Sequence, residues 1–228
     1  MTSGIAADEA PAILRAKRSS ADTGLHHRDA VRLLFILALG SEADETVGDA
    51  GPVRIFRGEK RAMAIDFLVR YPDYLAHELL NRYEHERRPE QLAEVETIFA
   101  ADEPDVRLVK MIRWHRGAFQ NIETPLAILR FHGLVRALRK SGGQRRHDFV
   151  VEPAAFAFMD DAIRRQPALA WYRDRAALVM SLAGFRSGSS LKDDQYLHEE
   201  YRDAPLGTEI PSIRDRVLDR LKRLRGTP

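Results

Sequence analysis

The chain has 228 residues, 44% of them hydrophobic and 31% charged, with no cysteine and a formal net charge of +2. That length buries a core in one medium domain with an appendage or in two small ones, and the missing cysteines exclude disulfides, zinc fingers and thiol catalysis. The longest apolar run, Leu33 to Leu39, is far below the roughly 20 residues of a bilayer crossing; with no signal-peptide pattern at the N-terminus, the expectation is a cytoplasmic protein with no membrane partner.

Residues 1–24 mix Ala, Ser, Asp and Arg with little sustained apolar pattern, which predicts a flexible tail with at most a short helix around Ile13-Leu14. Leu25 to Leu39 predicts a helix stopped by Gly40, apolar on nearly every side through Val31, Leu33, Leu34, Phe35, Ile36 and Leu37, and therefore buried among several neighbours. A polar loop follows from Ser41 to Pro52. Glu59 to Arg70 predicts a second helix, and Tyr71-Pro72-Asp73 breaks it and starts a third with Leu75, Leu79, Leu80 and Tyr83 inward. A fourth, acidic helix is predicted from Glu90 to Phe99. Val106 to Trp114 fits two readings: Leu108, Met111 and Ile112 suit a helix, but the alternation favours a strand that would pair against a later hairpin.

Thr124 to Val151 organises the middle of the chain. Thr124 is a suitable N-cap with Pro125 at the first helical position, and Gly133 suits a left-handed stop. Leu134-Val135 and Leu138 then form one β-like run, Phe149 and Val151 another, with Ser141-Gly142-Gly143-Gln144 as the turn between them. A helix, a glycine and a basic hairpin in this order read as the back half of a winged helix; any small α+β hairpin is the plainer alternative. Beyond it, Pro153 and Pro167 each open a helix, Ser190 with Asp193 resembles a capping box, and Ser212 with Asp215 would cap a last helix. The predicted fold is mainly α with a small antiparallel β wing. Its divisions are a tail (1–24), a winged helix-turn-helix-like domain (25–165) and a C-terminal helical extension for partner docking (166–228).

Charge is segregated along the chain. Asp73 to Asp105 carries ten acidic residues, whereas Val106 to His147 carries ten Lys and Arg with Glu123 as its only acid. A polyanion, an acidic partner protein or a merely solvated basic face all fit the second stretch. The candidate DNA- or partner-binding residues on the wing are Arg130, Arg136, Arg139, Lys140, Arg145 and Arg146. On the last helix they are Arg216, Val217, Arg220, Leu221 and Leu224, where packing on the domain, a partner's groove and an anionic surface remain open.

Motifs of catalysis are missing from the sequence. Gly184-Phe-Arg-Ser-Gly188-Ser-Ser lacks the spacing and the lysine of a phosphate-cradling loop. His77-Glu78, His85-Glu86 and His198-Glu199 each lack the second histidine of a metalloprotease helix, and they read as surface histidines. Adjacent His26-His27 point about 100° apart on a helix and serve one ion poorly. The expectation is a chain with no catalytic residue, cofactor or metal. The predicted reader helix offers only Arg130 and His132 for base edges, which disfavours a sequence-specific repressor.

Several phrases together carry a likeness to a known family. They are Ala64-Ile-Asp-Phe-Leu-Val-Arg-Tyr-Pro-Asp-Tyr-Leu75, Arg116-Gly-Ala-Phe119 leading to His132-Gly-Leu-Val135, Ser187-Gly-Ser-Ser-Leu-Lys-Asp-Asp-Gln-Tyr-Leu-His-Glu199, and Ile210-Pro211. In these the chain resembles the small middle components of bacterial ABC-three-component systems, including the accessory subunit of Lamassu-type anti-phage defence. The resemblance implies a non-enzymatic winged-helix adaptor, bound to an SMC-like ABC ATPase subunit and an effector subunit, often a nuclease. It would couple DNA sensing to effector release, touching double-stranded DNA without sequence preference. The alternative is a free-standing winged-helix transcriptional regulator. Aromatic-rich C-terminal faces (Trp171, Tyr172, Tyr196, Tyr201) suit an interface or a core equally.

Overall fold

The computed structural model describes residues 12–44, 53–100, 112–114, 117–118, 122–139 and 147–226. The first helix, α1 (Ala12–Leu39), starts well before the expected Leu25. Its opening turns hold Ala, Leu, Arg and Lys, good helix formers that need no apolar face to propagate. The short helix expected around Ile13-Leu14 is thus continuous with the one expected from Leu25. From Leu33 to Ala38 every side chain of α1 is buried, as a helix apolar on all sides requires.

Two short strands follow, β1 (Glu42–Asp44) and β2 (Val53–Phe56), then α2 (Glu59–Arg70), α3 (Pro72–Glu86) and α4 (Pro89–Ala100). Tyr71, preceding a proline, leaves the helical region at φ −112° and ψ 84°, which separates α2 from α3. Arg87 ends α3 in the left-handed conformation, φ 57°. The two-residue strands β3 (Arg113–Trp114) and β4 (Gly117–Ala118) pair with each other. The described part of this stretch, 112–114, does not pair with the hairpin among the described residues. Arg113 N–H instead donates to the Thr208 carbonyl at 2.7 Å, and Gly207 N–H to the Arg113 carbonyl at 2.8 Å.

Next come α5 (Glu123–Phe131), β5 (Val135–Arg139) and β6 (His147–Val151), with Gly133 at φ 67° between helix and strand. Helix, left-handed glycine and ribbon thus stand where the sequence predicts them. Two details differ. The helix starts at Glu123, with no side-chain cap from Thr124, and the turn Ser141–Gln144 lies outside the described residues. β6 is also an inner strand. The four-stranded antiparallel sheet has the order β1-β2-β6-β5, with Arg54 opposite Val151 and Phe56 opposite Phe149. Both edges of β6 are therefore paired, and since consecutive residues Asp148, Phe149, Val150 and Val151 are all buried, both of its faces are covered as well.

The C-terminal third is helical: α6 (Pro153–Arg165), a 3₁₀ turn (Pro167–Leu169), α7 (Ala170–Ala183), α8 (Gly188–Leu197), α9 (Glu199–Arg202) and α10 (Arg214–Gly226). The cap of α8 is Ser187, whose side chain accepts from Ser190 N–H at 3.2 Å, in place of the expected Ser190 box. Gly188 meets the backbone of Lys60 and Arg61 so closely that no Cβ fits there, which lets α8 cross the start of α2. Within the core a charged group joins α1 to α2. Arg32 Nε donates to Asp66 Oδ1 at 2.6 Å and its Nη1 to Asp29 Oδ1 at 2.7 Å, while Arg70 lies 3.6 Å from Asp66. All four residues are buried. No helix among the described residues is long and apolar enough to cross a membrane.

Candidate functional site

The basic hairpin and the helix before it form the first surface. α5 buries Pro125 and Leu129 and exposes Glu123, Thr124, Ala127, Arg130, Phe131 and His132. Phe131 is 86% exposed, with the His132 ring edge-on at 5.2 Å. Arg130 and Arg136 flank a shallow depression whose floor is Gly133, Val135 and Pro153. Arg136 Nε donates to Glu152 Oε1 at 3.1 Å, so part of its charge is neutralised within the chain. Arg139 closes β5; Lys140, Arg145 and Arg146 lie outside the described residues. The basic stretch is also not one surface. Arg113 is buried with its guanidinium 5.1 Å from the Tyr196 ring centre and 5.5 Å from that of Tyr201.

Of the three uses left open for the last helix, packing on the domain is the one its apolar stripe makes. Val217 is 0% exposed and Leu221 is buried, both in the chain's own core, with Leu224 packed against it. For these apolar residues the docking expectation gives way to packing, which stabilises by roughly 1.5–3 kcal/mol per fully buried side chain. The arginines follow the same logic. Arg216 bonds Glu200 at 2.8 Å, Arg220 bonds Glu84 and Asn81 at 2.7 Å, and Arg225 makes a two-pronged contact with Glu96 at 2.8 Å. The acidic stretch of α3 and α4 is thus the seat of the chain's own basic helix. Asp73 fixes where that helix starts: its Oδ2 accepts from Ile213 N–H at 2.8 Å and from the Ser212 hydroxyl at 2.7 Å. The C-terminal aromatics follow suit, since Tyr172 and Tyr201 are core residues.

A third constellation was hidden from sequence reasoning. His77 and Glu78 on α3 meet His198, the residue between α8 and α9, and their ligand atoms lie within 4.8 Å of one another. His198 is only 5% exposed, so it is not the surface histidine its dipeptide suggested. Its Nε2 stands 3.7 Å from Glu78 Oε1 and its ring meets that of His77 edge-on at 4.6 Å. Burial, with lesser contributions from His198 and Arg220, pushes the His77 pKa down from 6.5 to about 4. Glu78 lies below its ordinary value: burial acts against this, but hydrogen bonding to His198 and the charge of His77 outweigh it. The only sequence trace of the cluster is the recurrence of His-Glu dipeptides, 121 positions apart, a separation no helix-based motif spans.

Three of the phrases that carry the family likeness, Ala64 to Leu75, Ser187 to Glu199 and Ile210-Pro211, meet in the fold. Gln195 donates to the Ala64 carbonyl at 3.2 Å, the Tyr74 hydroxyl to the Pro211 carbonyl at 3.0 Å, and Phe67 meets Tyr201 edge-on at 5.3 Å. No known protein family, curated protein or solved structure matches the chain.

Proposed function

We propose that this protein is a non-catalytic, winged-helix-like adaptor that joins other macromolecules, in the manner of the SMC-like ABC ATPase assemblies whose middle component its sequence resembles. The observation that carries this reading is the exposed face of α5. Where a DNA reader would present groups for base edges, it offers Arg130 and His132 beside the nearly bare ring of Phe131. An exposed aromatic flanked by an arginine is the composition of a protein interface hot spot, whereas Arg130 and His132 are the only hydrogen-bonding groups the face keeps for base edges in the manner of a reader helix. The basic hairpin next to it suits backbone contact with DNA or an acidic partner surface.

The test is co-expression with the product of a neighbouring ATPase gene. A stable complex is expected, weakened at least tenfold by Phe131→Asp with the fold retained. A protein that ignores the ATPase and protects a single operator would be the free-standing regulator instead. DNA retention has its own signature. If Arg139, Lys140, Arg145 and Arg146 all meet phosphates, log affinity falls with log salt at a slope of about −3.6, and replacing all four by glutamate abolishes it.

A further inference from the structure

We propose that His77, Glu78 and His198 form a binding site for a divalent transition metal of the zinc class, tying α3 to the α8–α9 junction. The inference is independent of the adaptor reading. Two imidazoles and a carboxylate are a zinc donor set, and tetrahedral bonds of about 2.0–2.2 Å place neighbouring donors roughly 3.4 Å apart. His77 and Glu78 are adjacent on α3, as His26 and His27 are on α1, but here a third donor from another element meets them, and all three ligand atoms lie within 4.8 Å, with Glu78 Oε1 and His198 Nε2 at 3.7 Å.

The neighbouring arginines leave the donors usable. Arg220 Nη1 is 3.4 Å from His77 Nδ1 and 3.5 Å from its Nε2. Both are long contacts, and the shorter bonds of Arg220 go to Asn81 and Glu84 at 2.7 Å. Arg216 approaches His198 Nδ1 at 3.4 Å, on the side away from Glu78, but its main bond is to Glu200 at 2.8 Å. Arg220 is likewise paired with Glu84 at 2.7 Å. With both guanidiniums balanced, the site has the single negative charge of Glu78 to offer a dication. Glu78 and His198 also line a cavity of about 260 Å³ shared with Asn81, Arg82 and Asp194. A metal held by three protein donors would keep its fourth position on that cavity, open to water or a small anion.

The probe is Co²⁺, titrated into full-length protein after chelation. One equivalent with tetrahedral d–d absorption is expected, together with a rise in melting temperature on adding Zn²⁺. His77→Ala and Glu78→Gln each weaken uptake at least tenfold, whereas the paired change His26→Ala and His27→Ala leaves it unchanged. Arg216→Gln tightens it, since a competing cation leaves His198. His198 is too buried to be the deciding variant; circular dichroism on His77→Ala and Glu78→Gln separates lost ligands from a lost fold. Wild type without stoichiometric Co²⁺ uptake, or uptake unchanged in folded His77→Ala, overturns the site.

Discussion

Arg32 lies in the most apolar stretch of the chain, yet it is held there by two carboxylates and close to a second buried arginine. Burial alone would lower its pKa, but Asp66 and Asp29 outweigh that and leave it above its ordinary value. Removing one member of such a group strands a buried charge. Arg32→Ala is expected to cost about 3–5 kcal/mol in urea unfolding, far more than an exposed arginine. A change under 1 kcal/mol would mean that water reaches the carboxylates. His77 makes a second residue-scale prediction. Its folded pKa, about 4, is below its ordinary 6.5, so between these values the unfolded chain binds a proton that the folded chain refuses. Its contribution is therefore fully present above pH 6.5 and is lost as pH falls through 6.5 towards 4. Glu78, also depressed, adds its loss on the acid side. His77→Gln should flatten the stability profile between pH 6.5 and 4, as read from urea midpoints in metal-free buffer.

At the scale of elements, Gly188 and Asp73 hold α8 and α10 in place by opposite means, one by having no side chain and one by lending its own. Gly188→Ala drives a methyl into the backbone of Lys60 and Arg61, and should destabilise by about 1–3 kcal/mol. Gly40→Ala is expected to be milder, because one of its obstacles is the flexible Met180 side chain. Asp73→Ala should cost about 0.5–2 kcal/mol and speed amide exchange selectively in 214–226, since Ile213 and Ser212 lose their acceptor. These contacts also mark what could be read beforehand. Glu59–Arg70 and the Pro72 helix start were legible because helical period and proline punctuation agree there. The helix, glycine and ribbon around Gly133 were legible for the same reason. β1 and β2 were not, because strands of three and four residues beside Gly51-Pro52 carry too little alternation to stand out from a loop. The role of α10 was half legible: its stripe was plain, but that the stripe meets α3, with Glu84 and Glu96 as seats for its arginines, depends on folding across some 130 positions. The His77–His198 meeting left almost no trace for the same reason.

For the whole molecule, the candidate surfaces divide into one that faces outward and one that the chain occupies itself. Among the described residues Phe131 on α5 stands exposed, whereas the acidic α3–α4 surface is covered by α10. The sheet that supports the outward face joins early and late parts of the chain, Arg54 to Val151 and Ile55 to Val150. During synthesis, β1 and β2 must wait for nearly a hundred further residues before their inner neighbour emerges. Closing so long a loop makes this pairing a late step, and until then the edge of β2 is an unfilled template for other nascent chains. Val150→Ala should therefore accelerate unfolding while leaving the refolding rate nearly unchanged in stopped-flow experiments.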